Sequence, residues 1–243
     1  MRGTPHCPRC ETSLSSHEVA LGYRDDTPDP SVFPKFLVET PFDSPLYQGG
    51  DIGRLFSETP TYLLAWTTTP WTLPGNTALA VDENAEYSVA DVAQEGGVQR
   101  LVLASALLER NIKEEYTLVG TLKGSDLVGI EYRPLYPPSD FGSEVRRFVR
   151  NQSPDGGTVT ELEPTTDFSP KVVAADFVSM EDGTGIVHIA PAFGDEDLNL
   201  GREQELAFVQ PVDLRGIITG SYPFADKFVK DADPAIMDDL KER

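Results

Sequence analysis

The feature that most constrains this chain is a succession of short β-like runs punctuated by Gly, Pro, Asn and Asp. FPKFLVET, YLLAWTTT, TALAVD, EYSVADVA, QRLVLAS and YTLVGTLKG follow one another, and KVVAADFVSM and GTGIVHIAPAF come later as apolar runs suited to buried strands. Gly and Pro number 20 each among 243 residues, a density of breakers that leaves little room for long helices. ASALLERNIKEEY (Ala104 to Tyr116) has apolar residues at helical spacing. GDEDLNLGREQEL (Gly194 to Leu206) reads as a helix with acids in its first turn, where the helix dipole favours them. ADPAIMDDLKER reads as a closing helix with Asp233 as N-cap and Pro234 at the first helical position. The predicted class is mostly β with peripheral helices (α+β), built on a closed or nearly closed sheet with the helices outside.

Residues 1–30 read as a linker arm, with CPRC in a polar opening and DDTPDP as loop material. Residues 31–243 then form one large domain, for which 39% hydrophobic residues suffice. Within it, about 139–168 reads as an irregular insertion rich in Pro, Gly, Ser and Asp. Its SEVRRFVR places Arg146, Arg147 and Arg150 together, read as one face of a short exposed helix. The formal net charge of −20 indicates a solvated acidic surface and argues against a general nucleic-acid binder. Contact with one RNA end through a local basic patch stays open. No apolar run approaches the roughly 20 residues of a membrane helix. The opening MRGTPHCPRC has no apolar core of a signal peptide, so the chain reads as soluble and cytoplasmic, without a membrane partner. Two cysteines in this length argue against a disulfide scaffold.

Cys7 and Cys10 form a CxxC, half of the four-ligand set that structural zinc requires. A spare thiol pair accounts for it as well, and a redox motif fits less, since no strand leads into a helix there. In AWTTTPWTLPGN (Ala65 to Asn76), strand alternation puts Thr67 and Thr69 on one face and Thr68 on the other. Where Pro70 breaks the strand, hydroxyls and N–H groups can converge on one ligand. A threonine-rich edge strand with the tryptophans in the core explains the same residues. In GTGIVHIAPAFGDED (Gly183 to Asp197), His188 reads in isolation as a core histidine and Asp197 as a helix-terminal charge. Asp197 also suits a cation, being a carboxylate beside a shaped Pro191–Phe193–Gly194 loop.

AWTTTPWTLPGN together with DGTGIVHIAPAFGDED resembles the editing domain inserted in isoleucyl-tRNA synthetases, class I aminoacyl-tRNA synthetases. CPRCETSLSSHEVALGY resembles the segment that leads into it, so the resemblance runs from about Cys7 to the end, with no family pattern across about 139–168. The sister domains for valine and leucine carry an arginine where this chain has Thr69. The resemblance implies a closed six-stranded β-barrel and a fragment of a longer ligase, one without ATP-binding or anticodon-binding parts. It implies a second cysteine pair downstream, so that Cys7 and Cys10 bind zinc in the full-length protein while editing itself needs no cofactor.

The activity implied is hydrolysis of valine mischarged on tRNA(Ile), and of valyl-adenylate. Valine and isoleucine differ by one methylene, worth about 1–3 kcal/mol in an apolar pocket, a general figure for which this synthetase is itself the standard example. The implied partners are the tRNA(Ile) acceptor 3′ end, valyl-adenylate and the rest of the synthetase. Asp197 matches the residue that holds the substrate α-ammonium, and Thr67, Thr68 and Thr69 match those that contact the ester and terminal adenosine. Asp197, Thr68 and Thr69 are the catalytic candidates. His188 matches the residue that limits side-chain size, and Trp71 and Thr72 match the wall beside it. Trp66, Ala190 and Pro191 complete the substrate-binding set. No Ser or Cys nucleophile stands in these motifs, so attack by water is expected. A non-catalytic module that binds the tRNA 3′ end is the alternative.

Overall fold

A computed structural model describes residues 4–22, 30–39, 51–56, 59–94, 97–152 and 158–242. Strands β1 (His6–Cys7) and β2 (Thr12–Ser13) make a small hairpin, turned through Glu11 at φ 56°. Ser15 and Glu18 then cap α1 (Ser16–Gly22) reciprocally, the backbone N–H of each meeting the side chain of the other. Most of DDTPDP lies outside the described residues. There follow β3 (Lys35–Leu37), α2 (Asp51–Phe56), β4 (Thr61–Leu64), a 3-10 segment (Pro70–Gly75) and β5 (Ala78–Val81). Next come β6 (Glu86–Gln94), β7 (Gly97–Ala104), α3 (Leu108–Asn111), β8 (Tyr116–Lys123) and α4 (Gly124–Leu127). The rest is β9 (Val145–Gln152), β10 (Thr158–Pro164), β11 (Lys171–Ala174), β12 (Ile186–Ile189), α5 (Asp195–Glu203), β13 (Ala207–Val209) and α6 (Val229–Glu242).

A five-stranded sheet has the order β3-β4-β7-β6-β8, with β4 and β7 parallel and the other pairs antiparallel. A three-stranded sheet has the order β11-β5-β12. Its centre β5 reads ALAV without alternation because all its residues are buried, as a strand covered on both faces requires. The main core cluster joins the two sheets and α6 through Phe36, Leu63, Leu79, Val102, Ile186 and Ile236. The mostly β, α+β class is therefore what forms.

The closed barrel does not form. Among the described residues no sheet closes on itself. The two sheets meet instead through single bridges, Trp66 to Val187, Val38 to Tyr132 and Glu131 to Lys171. Pro134 follows the bridged Tyr132 by two residues and Pro170 directly precedes the bridged Lys171, and neither has an N–H to lend to a ladder.

Other expectations also change. Ala104–Tyr116 is not one helix: a 3-10 turn (Ser105–Leu107) and the single turn of α3 are followed by β8, which Tyr116 begins. Ile112 is extended and buried against Leu64, Leu101 and Leu108, so packing on the sheet overrides the helical spacing. SEVRRFVR is strand, not helix. β9 pairs with β10 on one side and β13 on the other, which buries Phe148. Arg146, Arg147 and Arg150 face Glu144, Asp167 and Glu205 at 3.0, 3.1 and 3.8 Å, so this is no free basic cluster. Much of the stretch 139–168 is this regular antiparallel pair, and residues 153–157 lie outside the described residues. Asp233 and Pro234 lie inside α6 rather than at its start.

Candidate functional site

Thr67 is still strand-like, its N–H and C=O both paired with Val32 at 3.1 and 3.0 Å. Pro70 then turns the chain into the 3-10 segment, which brings Thr72 back under Thr69. The Thr67 and Thr69 hydroxyls share one face, 3.2 Å apart, and the Thr69 N–H donates to Thr67 Oγ1 at 3.1 Å. Thr72 Oγ1 lies 3.3 Å from Thr69 Oγ1 and donates to the Thr69 carbonyl at 2.8 Å. Thr68 is half-buried, and among the described residues its hydroxyl has no hydrogen-bond partner.

His188 sits on β12 opposite Leu79 of β5 and is buried. Its Nε2 is 2.8 Å from Thr72 Oγ1 and its Nδ1 is 3.1 Å from Asn76 Nδ2. The Thr72 hydrogen is committed to the Thr69 carbonyl, so the network assigns the ring proton to Nε2, which donates to Thr72. Nδ1 then accepts from Asn76, whose other N–H goes to the Ala78 carbonyl at 2.9 Å. Tyr132 donates to Asn76 Oδ1 at 2.7 Å. Burial pushes His188 down to about 4, so the ring is neutral near pH 7. With both nitrogens engaged, it is a fixed wall and has no free base to offer.

Asp197 is the third residue of α5. Its Oδ2 accepts the Ala190 N–H at 2.8 Å, at the end of β12. Burial raises its carboxyl to about 6 against the pull of that N–H, and Glu196 adds to the rise. A Cβ on Gly194 would come to 3.0 Å of the Asp197 carboxyl carbon, so glycine keeps this approach open. Phe193 closes the turn with its N–H on the Ala190 carbonyl at 2.9 Å. Trp71 meets the Phe193 ring edge-to-face, centroids 5.0 Å apart. The Trp71 indole N–H has no partner among the described residues. Trp66 faces elsewhere: its indole N–H donates to Ser31 Oγ at 2.7 Å, and its ring backs onto Gly183.

Thr67, Thr69, Trp71, Thr72, His188, Ala190, Pro191 and Asp197 thus come from two stretches of sequence that meet where β12 ends beside the 3-10 segment. Cys7 and Cys10 do not join them. Their hairpin docks on the loop before α6, through His6 Nε2 and the Leu214 carbonyl at 2.8 Å. Cys10 Sγ contacts Thr12 Oγ1 at 3.1 Å, and no set of three or more metal-ligating side chains gathers among the described residues. An open cavity of about 660 Å³, lined by Asp82, Glu83, Asp176, Glu196 and Glu203, includes none of the threonines. Asn76 and Tyr132 are the polar residues that sequence reading misses. Asn76 ends the threonine stretch, where PGN reads as a turn; Tyr132 carries no local signal.

No family model matches the chain. Its fold is that of a CP1 domain of the aminoacyl-tRNA synthetases: it superposes on the crystal structure of the CP1 domain of the leucyl-tRNA synthetase GlLeuRS with a TM-score of 0.60, at 17% identity, covering 88% of this chain and 96% of that one. In sequence it is 51% identical over its whole length to the isoleucine–tRNA ligase of Dehalococcoides mccartyi strain CBDB1, and 40% identical over 98% of its length to that of Picrophilus torridus. The chain belongs to the isoleucine–tRNA ligase family, and it spans 23% and 19% of the length of those two relatives.

Proposed function

We propose that this chain is the editing domain of an isoleucine–tRNA ligase and hydrolyses valine mischarged on tRNA(Ile), together with valyl-adenylate. The observation that carries the reading is the meeting of the threonine hydroxyls, the neutral locked His188 and the Asp197 carboxylate at one end of β12. Asp197 spends one oxygen on Ala190 and offers the other to the substrate α-ammonium, a charge-assisted pair in a partly desolvated place. Thr67, Thr68 and Thr69 hold the ester and the terminal adenosine; the Thr68 hydroxyl needs no internal bond broken to do so. Trp71, Thr72, His188, Ala190 and Pro191 bound the aliphatic side chain, and Trp66 braces the strand beneath.

Water is the nucleophile. Its oxygen adds to the ester carbonyl carbon, the bond to the ribose oxygen breaks, and that oxygen takes the proton, giving valine and free tRNA. His188 takes no proton in this scheme, because its nitrogens are spoken for. An aminoacyl ester is already activated, so placing water and polarising the carbonyl suffice.

The partners are the acceptor 3′ end of tRNA(Ile) and the remainder of the synthetase. Among the described residues no helix is long and apolar enough to cross a membrane. The Cys7 and Cys10 thiolates suit zinc chemically but fill half a tetrahedral set; other ligands would come from beyond the described residues, and no editing step passes through them. The test is deacylation of valyl- and isoleucyl-tRNA(Ile) by the full-length ligase. The valyl ester is expected to be cleaved and the isoleucyl ester spared, and Asp197→Ala is expected to stop cleavage. Retained 3′-end binding without any turnover would make the chain a binding module.

A further inference from the structure

The 3-10 segment Pro70–Gly75 joins the threonines to β5 and carries both Trp71 and Thr72. Its start has no local cap. Thr69 stands at the N-cap without a side-chain cap bond, its hydroxyl being shared with Thr67 and Thr72 instead. Pro70 has no N–H, so Trp71 supplies the first donor of the turn. That donor is met from a distant element. Oδ1 of Asp233, on α6 and 3% exposed, accepts the Trp71 N–H at 3.0 Å across 162 positions of sequence.

Trp71 passes this anchorage on. Its ring stands on Phe193, and Gly75 backs onto the same ring so closely that a Cβ there would lie 2.8 Å from it. Phe193 closes the turn that begins at Ala190, and Ala190 holds Asp197. One carboxylate on α6 thereby braces both stretches that form the site.

We infer that Asp233 is a positioning residue for size selection: it holds Trp71, and through Phe193 the Ala190–Asp197 turn, at the spacing that admits a short aliphatic side chain and turns away a longer one. It does not touch substrate. The inference rests on the editing reading of the site. Thr67 is held by Val32, and Thr69 by Thr67, so adenosine contacts do not depend on Asp233.

The test uses calorimetric binding of non-hydrolysable valyl- and isoleucyl-adenosine analogues, and of adenosine, to the 243-residue chain. Asp233→Leu removes the acceptor and keeps the branching at the γ-carbon. Its valyl-over-isoleucyl preference is expected to fall about tenfold with adenosine affinity unchanged, and the Trp71 amide is expected to lose protection from hydrogen exchange. Asp233→Asn keeps an Oδ1 acceptor and is expected to keep both preference and protection. If Asp233→Leu does not fold, Asp233→Glu replaces it, moving the acceptor by one methylene. Unchanged preference in a folded Leu or Glu variant overturns the proposal, as does lost preference in Asp233→Asn. Wild-type protein that binds both aminoacyl analogues alike sinks the editing reading itself, and the proposal with it.

Discussion

The Tyr132 hydroxyl donates to Oδ1 of Asn76 at 2.7 Å, and this contact stands directly behind His188, because the amide of Asn76 meets His188 Nδ1. Tyr132 is fully packed, edge-to-face with Phe36 at 5.1 Å. Burial holds its phenol well above its usual range, so it is a hydrogen-bond donor near neutral pH. Tyr132→Phe keeps the ring and leaves Asn76 Oδ1 a buried acceptor without its donor. The expected loss is about 1–3 kcal/mol of stability, read by urea unfolding. The nitrogen NMR shifts of His188 are expected to move towards a mixture of tautomers. A variant as stable as wild type, with unchanged imidazole shifts, removes Tyr132 from the network.

Deacylation is expected to be pH-dependent through Asp197 and not through His188. A carboxylate pairs with an ammonium only when ionised, and burial raises the Asp197 carboxyl to about 6, so on the proposed reading activity is expected to fall as pH drops through that value. His188 stays neutral down to about 4 and adds no step between. A pH–rate profile of kcat/KM with a single acid limb near 6 is the expected result; a limb near 7 would point to another group.

Stability carries the opposite signature for His188. Its folded value lies below the ordinary 6.5, so the folded state binds the proton less well than the unfolded chain. The contribution is fully present above pH 6.5 and is lost as pH falls towards 4, on the order of 3 kcal/mol in all. Asp197 runs the other way: raised from 3.8 to about 6, it favours the folded state at low pH and loses that contribution as pH rises through 6. The two nearly oppose each other between pH 4 and 6. His188→Gln retains hydrogen-bonding capacity without the titration. The difference in unfolding free energy between wild type and this variant is expected to shift in the variant's favour on acidification, and a pH-independent difference contradicts the buried neutral ring.

What could be read in the sequence was what is local. The Thr67–Thr69 face follows from strand alternation, and the Asp197 placement follows from an acidic first turn after Gly194. The polar bonds that fix these groups join positions far apart: Tyr132 reaches Asn76 over 56 positions and Asp233 reaches Trp71 over 162. Asp233 before Pro234 has the local form of a helix start, and nothing in that form reveals an acceptor needed by another element. VRRFVR fits a helical face as well as a strand, and only the partners β10 and β13 make β9 a strand. The expected ring closure fails for the same reason: whether two strands join is decided between partners distant in sequence, and here the two sheets touch only at single bridges.

Gly194 offers a test of crowding at the carboxylate. Its φ of −124° is open to any residue, so alanine strains no backbone there. The added Cβ would come to 3.0 Å of the Asp197 carboxyl carbon, tighter than ordinary contact. Gly194→Ala is expected to turn Asp197 away from its present rotamer and lower valyl ester turnover about tenfold, a loss of about 1.4 kcal/mol at the transition state. The unfolding midpoint is expected to fall as well, because the buried Ala190 N–H loses its acceptor. Full turnover in this variant would show that Asp197 tolerates displacement, contrary to a fixed ammonium site.

The β1–β2 hairpin gives the last prediction. Cys7 and Cys10 bring two thiols, and the Cys7 thiol is held below its ordinary range chiefly by a hydrogen bond with Cys10. That favours thiolate, the form a metal binds. Among the described residues no third or fourth ligand stands near, and two thiolates alone hold zinc weakly against water. The purified 243-residue chain is expected to contain well under one zinc per molecule by elemental analysis. Replacing both cysteines with serine is expected to move its unfolding free energy by less than about 0.5 kcal/mol, as for a surface change. Stoichiometric zinc, with a melting temperature that collapses on chelation, would instead mean that further ligands close the site and that the hairpin is a folded metal module.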